Sequence, residues 1–253
     1  MVPDRDLKLT AVSFFNFSHV KVQASRVIKH FDMHVVSRKL QGLGHNADLL
    51  AALEKIKAID SAHVGKLIRS TCVKDDLIIE CEFVSGRSLR EAHEHHKAFI
   101  FEAICQLLTG LEDFARVGVV HNDVRPDNLI LTDEGYICLI DFDRIALSGE
   151  KATRSTCYGY SSPEQLEQNV VDWRSDLFGA GVVMCELLSG VSPYPGKDIL
   201  SRTYSVTAGE MRRPKSISDE EWYAIQKMCA FEPNQRFSSL SLARACILEL
   251  TVV

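Results

Sequence analysis

The chain has 253 residues, of which 46% are hydrophobic and 25% charged, and its formal net charge is -5. These proportions are typical of a globular protein and exclude a disordered, collagen-like or low-complexity chain. The acidic balance gives no reason to expect nucleic acid or an anionic membrane as the main partner. No apolar stretch is long enough to span a bilayer, so we expect no membrane association.

The 8 cysteines are scattered singly along the chain, without any CxxC pair. This spacing excludes zinc-ribbon and thioredoxin-like motifs. Because Cys138 and Cys185 lie inside apolar runs, we expect them to be small buried hydrophobes with reduced thiols. Reduced thiols and a polar start without an apolar signal core favour a cytoplasmic or otherwise intracellular location.

The chain up to residue 83 is predicted to form short strands and one helix. Segments that favour strands, without a helical period, recur at residues 7–14, 20–22, 27–28, 35–36 and 77–79. Between them, Leu49, Leu50, Leu53 and Ile56 fall on one face of a predicted helix over 46–59. The pattern indicates a small antiparallel sheet with a single helix.

Helices dominate the prediction after residue 83. An apolar stripe runs along residues 100–114, and residues 176–189 are apolar almost all round, which predicts a helix buried in the core. Ser218 followed by Glu221 is a capping box, and a last helix is predicted over 239–250. The change in composition predicts two lobes, residues 1–83 and 84–253, with a cleft between them.

The most informative stretch is HNDVRPDNLIL, which begins at His121, and the sequence LIDFD follows from Leu139. Here the chain resembles the protein kinase family in its catalytic loop, H-R-D-x-x-x-x-N, and its metal-binding D-F-G. The resemblance implies a two-lobed α+β fold with ATP and Mg²⁺ in the cleft. It makes Asp123 the catalytic base, and Asn128 and Asp141 the metal ligands. Mg²⁺ prefers such hard oxygen ligands, and a carboxylate beside a hydroxyl can accept its proton.

Two further segments resemble the same family. The sequence YSSPE, which ends at Glu164, is similar to the A-P-E end of the activation segment, and Arg236 then takes the place of the arginine that pairs with that glutamate. Residues 82–89 are similar to the hinge. The resemblance implies that adenine meets the backbone of Glu82 and Val84, with Cys81 at the back of its pocket.

The first part of the chain departs from the family pattern. No glycine precedes Gly42, so the glycine-rich phosphate loop is absent, and residues 20–27 take its place when Val27 is aligned with the valine after that loop. A match of residues 35–38 to V-A-I-K puts Val36 and Arg38 among the nucleotide-binding positions, with Arg38 in the lysine slot. Lys39 and Lys29 are alternatives for that slot. Glu54, nine residues before His63, is then the implied ion-pair partner.

Three departures lie near the catalytic loop. Asn122 replaces the arginine that docks an activation-loop phosphate, so activation by that route is in doubt. Arg125 replaces the catalytic lysine that contacts the transferred phosphate, which keeps the charge but changes the geometry. Asp143 replaces the glycine of D-F-G, where an aspartate tolerates unusual backbone angles less well.

These residues support three functional hypotheses. The first is a protein kinase that phosphorylates Ser or Thr hydroxyls of a protein substrate, with weak activity. The second is a pseudokinase that acts as a binding or scaffolding module. The third is a small-molecule phosphotransferase, against which Glu164 and Arg236 argue because they resemble the anchor of a peptide-binding segment.

Overall fold

The computed structural model describes residues 17–23, 26–32, 45–73, 76–92, 96–152 and 159–251. The predicted strands over 7–14 and 35–36 lie outside these residues, as do Val36, Arg38 and Lys39.

The first part of the chain forms a four-stranded antiparallel sheet. Its strands are β1 (Phe17–Gln23), β2 (Arg26–Asp32), β3 (Leu67–Val73) and β4 (Asp76–Glu82), in the order β1-β2-β4-β3. Strand β2 therefore lies directly beside β4, with Val27 opposite Cys81 and Lys29 opposite Ile79. The small antiparallel sheet expected from the sequence is confirmed.

Helix α1 (His45–Ile56) lies between β2 and β3 in the chain, close to the predicted 46–59. Its apolar face, which includes Leu53 and Ile56, is buried. The segment after α1 docks on a strand of the second part: the amide of Gly65 donates to the carbonyl of Leu139 at 2.8 Å. This hydrogen bond holds the segment between α1 and β3 next to β8, the strand that leads to Asp141.

The second part of the chain is mainly helical, as predicted. Its helices are α2 (Lys97–Arg116), α3 (Pro163–Leu166), α4 (Trp173–Ser189), α5 (Ile199–Thr207), α6 (Asp219–Met228) and α7 (Leu240–Glu249). One small sheet contains β5 (Gly86–Ser88), β7 (Leu129–Thr132) and β8 (Ile137–Leu139), and a second pairs β6 (Val119–Val120) with β9 (Ala146–Leu147). Among the described residues, no helix combines the length and apolarity needed to cross a membrane.

Helix α4 is the centre of the core, and residues 175–185 are buried on every side, as the sequence predicts. Asp172 caps its start by accepting from the amide of Arg174, and Gly190 ends it in the left-handed conformation at φ 75°. A Cβ at Gly179 would lie 3.0 Å from the Cβ of Val124. The glycine thus allows the catalytic loop to pack directly on this helix.

The predicted capping box and buried thiols are also found. The hydroxyl of Ser218 accepts from the amide of Glu221, and the Glu221 carboxylate accepts from the amide of Ser218. Cys138 and Cys185 are buried, and burial raises the pKa of Cys138 to about 12 and that of Cys185 to about 11. Both thiols therefore remain protonated and behave as apolar side chains.

A buried ion pair joins helix α3 to the segment before α7. The Arg236 guanidinium donates to both carboxylate oxygens of Glu164, at 2.7 and 2.8 Å, and the Arg236 side chain is 0% exposed. It also donates to the carbonyls of Ala230 and Arg174. Burial raises the pKa of Glu164, but the hydrogen bonds and charge of Arg236 lower it by more, so this pKa lies below its ordinary value.

Replacing Arg236 should destabilise the protein strongly. In Arg236→Ala, Glu164 would be left as a buried charge without its cation, which costs about 3–5 kcal/mol. Arg116→Ala is the matched control, because Arg116 makes an exposed pair with Asp113 on the last turn of α2, and such pairs contribute about 0–1 kcal/mol. Urea unfolding measures both. Equal unfolding midpoints for the two variants would contradict a stabilising role for the buried pair.

Candidate active site

The catalytic loop is tied to α4 by a buried carboxylate. Asp176 on α4 accepts hydrogen bonds from the backbone amides of His121, at 2.7 Å, and Asn122, at 2.8 Å. Burial raises the pKa of Asp176 to about 7, although these two amide hydrogen bonds act to lower it. Since both donors are backbone groups, Asp176 fixes the path of the chain just before Asp123.

Asn122 adopts the left-handed conformation at φ 64° and connects three segments. Its side-chain amide donates to the carbonyl of Arg144 at 3.1 Å, and its side-chain oxygen accepts from Gln165 Nε2 at 3.1 Å. The same Gln165 group also donates to the backbone carbonyl of Asn122. These hydrogen bonds join the catalytic loop to the segment after Asp141 and to α3, and none of them involves a phosphate group.

Asp123 and Asn128 form one hydrogen-bonded unit, and both are 6% exposed. Asn128 Nδ2 donates to the backbone carbonyl of Asp123 and to its Oδ2, each at 2.9 Å. The other carboxylate oxygen, Asp123 Oδ1, is buried and has no hydrogen-bond partner among the described residues. Because the Asn128 amide hydrogens point to Asp123, the amide oxygen is the atom left for a ligand.

Asp141 comes two residues after the end of β8, and the residue before it is bonded to this unit. The amide of Ile140 donates to the carbonyl of Asn128 at 2.9 Å, which joins the two predicted metal ligands through the backbone. Asp141 has φ 77°, whereas Asp143 is not in the left-handed region, so the unusual backbone lies at the first aspartate. Phe142 between them is buried against the rings of Phe114 and His121, which holds this segment in place.

Two arginines approach the carboxylates of the loop. Arg125 donates through Nε to Asp127 Oδ2 at 3.0 Å, so it is paired within its own loop. Arg144, with a side chain that is 6% exposed, places Nε 3.5 Å from Asp123 Oδ2 and 4.0 Å from Asp143 Oδ1. A buried guanidinium thus lies beside the carboxylate predicted to be the catalytic base.

The predicted nucleotide-binding residues are in three places. Cys81 and Glu82 end β4, and Val84 follows outside any strand, half-buried, so its backbone groups lie outside the sheet ladder. Val27 is paired with Cys81 across the sheet. Glu54 is on α1, where its carboxylate accepts from Lys57 and from the Ser70 hydroxyl. The Glu54 side chain is exposed, so this carboxylate and its contacts with Lys57 and Ser70 lie at the surface.

Sequence reasoning missed several residues of the site, among them Gln165, Asp176 and Arg144. One signal for Gln165 was available, since Ser162 followed three residues later by Gln165 is a capping-box pattern, and the structure shows that box. Nothing in the local sequence points to the contact of Arg144 with Asp123, because the two residues come from separate loops.

A small cavity lies behind the loop. Its lining includes Asp123, Tyr160, Ser161 and Gln165. The segment that precedes α3 therefore reaches the same space as the predicted catalytic base.

Comparisons with known proteins agree with this geometry. The family model described as "Protein kinase domain" matches residues 15–247. Serine/threonine-protein kinase PknL of Mycobacterium tuberculosis is 31% identical in an alignment that covers 54% of this chain and 37% of PknL. "Probable serine/threonine-protein kinase PknB" of Bifidobacterium longum is 30% identical over 67% of this chain and 27% of its own length. Serine/threonine-protein kinase N2 of Danio rerio is 28% identical over 74% of this chain and 20% of its own length. The chain thus spans well under half of these relatives.

The hydrogen bonds and the left-handed backbone of Asn122 predict how two substitutions at this position rank in free energy of unfolding. Asn122→Gly keeps the left-handed backbone but leaves buried partners without hydrogen bonds, which should lower the free energy of unfolding by about 1–3 kcal/mol. Asn122→Ala should lose about a further 1–2 kcal/mol, because alanine disfavours positive φ. Urea unfolding ranks the three proteins. An alanine variant at least as stable as the glycine variant would disprove the left-handed backbone at this position.

Proposed function

Since the chain belongs to the protein kinase family, we propose that it binds Mg-ATP and transfers the γ-phosphate slowly to Ser or Thr hydroxyls of a protein substrate. The observation that carries the proposal is the direct hydrogen bond between Asn128 and Asp123, together with the bond from the amide of Ile140, the residue before Asp141, to the carbonyl of Asn128. The similarity to serine/threonine kinases supports the choice of acceptor.

The donor atoms at this unit suit a magnesium ion. Asn128 offers an amide oxygen and Asp141 a carboxylate, and Mg²⁺ is usually held by one or two carboxylates together with phosphate oxygens. Asn128 and Asp141 would hold the ion, and the backbone of Glu82 and Val84 would hold the adenine. When bound, Mg-ATP supplies the transferable phosphoryl group and the cation that neutralises its charge.

Asp123 is proposed to orient the acceptor hydroxyl and accept its proton. Asn128 fixes Oδ2 through a 2.9 Å hydrogen bond, whereas buried Oδ1 has no partner among the described residues and would be the oxygen that accepts the proton. Arg125 would provide positive charge beside the acceptor, after exchanging Asp127 for a phosphate oxygen.

The sheet order supports Lys29 as the cation for the nucleotide phosphates. Lys29 is on β2, the strand bonded directly to β4, which ends at the proposed adenine contacts. Positions 27 and 29 are two residues apart in this strand, about 7 Å along it. Lys29 would then take the lysine slot in which the sequence match placed Arg38. Glu54 would leave Lys57 and form an ion pair with Lys29.

One observation favours the alternative of a binding module without phosphotransfer. Arg144 lies 3.5 Å from Asp123 Oδ2 and is buried, so the proposed base is already paired with a cation. Together with the missing glycine-rich loop, this contact is the physical reason to expect slow transfer.

Mg-ATP should stabilise the protein against heat. At a hundredfold excess over its Kd, a ligand of the native state adds about 2.7 kcal/mol, which corresponds to roughly 5–10 °C in Tm for a domain of this size. Asp141→Asn should lose the shift, and Asp219→Asn, a matched change at an exposed residue of α6, should keep it. Differential scanning fluorimetry measures all three. A wild-type protein without any shift at several millimolar Mg-ATP would rule out the nucleotide site.

Phosphotransfer should depend on Asp123 and Lys29. Asp123→Asn should reduce the rate with a protein substrate by at least about 10²-fold, since general-base catalysis contributes 10²–10⁴-fold. Lys29→Ala should reduce it by about 10²-fold through misplacement of the phosphates, whereas Arg38→Ala and Lys39→Ala should retain most activity.

Radiolabelled ATP provides the measurement, with each variant checked for the Mg-ATP shift. A loss of activity in Arg38→Ala but not in Lys29→Ala would show that the lysine slot is wrongly placed. Binding of Mg-ATP without turnover in any protein, wild type included, would establish the binding-module alternative.

A further inference from the structure

Three buried aromatic rings, here called the ring triad, contact one another beside the catalytic loop: Phe114, His121 and Phe142. The ring centroids of Phe114 and His121 are 5.4 Å apart at an interplanar angle of 89°, and those of His121 and Phe142 are 6.2 Å apart at 80°. The centroids of Phe114 and Phe142 are 6.0 Å apart at 54°. These separations and the two nearly perpendicular pairs are those that aromatic rings favour.

The imidazole of His121 connects the two halves of the proposed site through its two nitrogens. The backbone amide of Asp123 donates to Nδ1 at 3.3 Å, so Nδ1 is the nitrogen without a proton. Nε2 then carries the proton and donates to the carbonyl of Ile140, the residue before Asp141, at 3.2 Å. Since the two bonds use opposite sides of one ring, a turn of the ring breaks both of them.

Phe114 presents its ring from a helix that is bonded to the neighbouring strand. Two turns earlier on α2, Gln106 Oε1 accepts from the amide of Ile137 in β8 at 2.7 Å. A Cβ at Gly110 would lie 2.8 Å from the carbonyl oxygen of His63, so α2 is in direct contact with the segment between α1 and β3. The other two rings of the triad belong to residues outside helices and strands. Phe114 is therefore the member of the triad with its own rigid support.

Resting on the proposed function, we propose that Phe114 is a positioning residue for phosphotransfer. Its ring holds His121 and Phe142 in one orientation. Through these two rings it fixes Asp123 relative to Asp141, although Phe114 itself contacts neither nucleotide nor substrate. A leucine at this position leaves space beside both rings, so that the imidazole of His121 turns and the two halves of the site shift together.

The first test needs neither nucleotide nor substrate. Nitrogen-15 NMR of protein labelled at histidine distinguishes a protonated from an unprotonated ring nitrogen, and His121→Gln identifies the signals of His121. The wild type should show only the form protonated at Nε2, whereas Phe114→Leu should show both forms or broadened signals. Phe101→Leu is the matched control, because Phe101 is buried on the same helix, about 20 Å along its axis from Phe114, and should keep the wild-type signals.

The second test measures Mg-ATP affinity by calorimetry and the rate of phosphotransfer. Phe114→Leu should lower the rate at saturating Mg-ATP by about tenfold or more and weaken Mg-ATP binding by about fivefold, because misplacement by about 1 Å can cost 10²-fold in rate. Phe101→Leu should change each by less than about twofold. Phe114→Met removes the ring but fills much of its space, and it replaces Phe114→Leu if the leucine variant fails to unfold cooperatively.

A double-mutant cycle with Phe142→Leu tests whether Phe114 acts through its neighbouring rings. If it does, the variant with both substitutions should lose little more rate and Mg-ATP affinity than the more impaired single variant, because the two residues serve one arrangement. Losses that multiply in full would mean that Phe114 acts independently of Phe142, which would overturn the inference.

The other outcomes separate this inference from the proposed function. A wild type that binds no Mg-ATP contradicts the proposed function, and the histidine signals alone then decide the inference. Unchanged signals of His121 in Phe114→Leu overturn the inference whatever happens to turnover, since a loss of rate would then be a general effect of lower stability. Equal losses of rate in Phe114→Leu and Phe101→Leu overturn it for the same reason. Altered His121 signals with unchanged rate and affinity overturn the positioning role.

Discussion

The carboxylate of Asp176 holds the backbone on which the whole site depends. It is buried in the centre of the helical core and accepts both of its short hydrogen bonds, at 2.7 and 2.8 Å, from main-chain amides of the catalytic loop. A buried carboxylate is costly without such donors, so core and loop stabilise each other. Because the amides belong to His121 and Asn122, the chain must turn through positive φ at Asn122 and then presents Asp123.

The contact of Asp176 with the catalytic loop is connected to the contact of Asn122 with Gln165 and to the pair of Glu164 with Arg236. The hydrogen bonds that connect them come from unmodified side chains. Asn122 bonds to Gln165 of α3, and α3 also contains Glu164, which Arg236 holds in the core. In the family pattern, an arginine at position 122 docks an activation-loop phosphate. Here a neutral amide makes permanent bonds to Gln165 and Arg144, and these bonds require no phosphorylation of the chain. The order of this part of the site is therefore a property of the folded chain itself.

Much of the site was predictable because its chemistry restricts the residue types. The spacing of Asp123, Asn128 and Asp141, the buried helix α4 and the pair of Glu164 with Arg236 all follow from residues that the reaction or the core requires. The site roles themselves stay predictions. Local sequence gave no means of choosing between Lys29 and Arg38, because the glycines that would set the alignment are absent. The register of β2 with β4 supports the proposal of Lys29, and the choice stays a prediction.

Other contacts could not be predicted because they join residues far apart in the chain. Arg90 and Glu186 are 96 residues apart, and each has ordinary charged neighbours. Strand β3 was also missed, since its sequence LIRSTCV interrupts the apolar alternation with polar residues in the middle. That strand forms through its full antiparallel ladder with β4, which is a tertiary constraint rather than a local preference.

Charged side chains around the site form ion pairs with other residues of the chain. This pairing affects the rate that we expect for phosphoryl transfer. The pairs are Arg144 with Asp123, Arg125 with Asp127, Arg90 with Glu186, and Lys57 with Glu54. A site that accelerates phosphoryl transfer has its cations and its base oriented toward the reacting atoms before the substrate arrives. Under the proposed function Arg125 and Glu54 would first exchange an internal partner, so part of the binding energy of Mg-ATP and substrate would go into that exchange. In the protein without ligands, each of these charges already has a counter-ion.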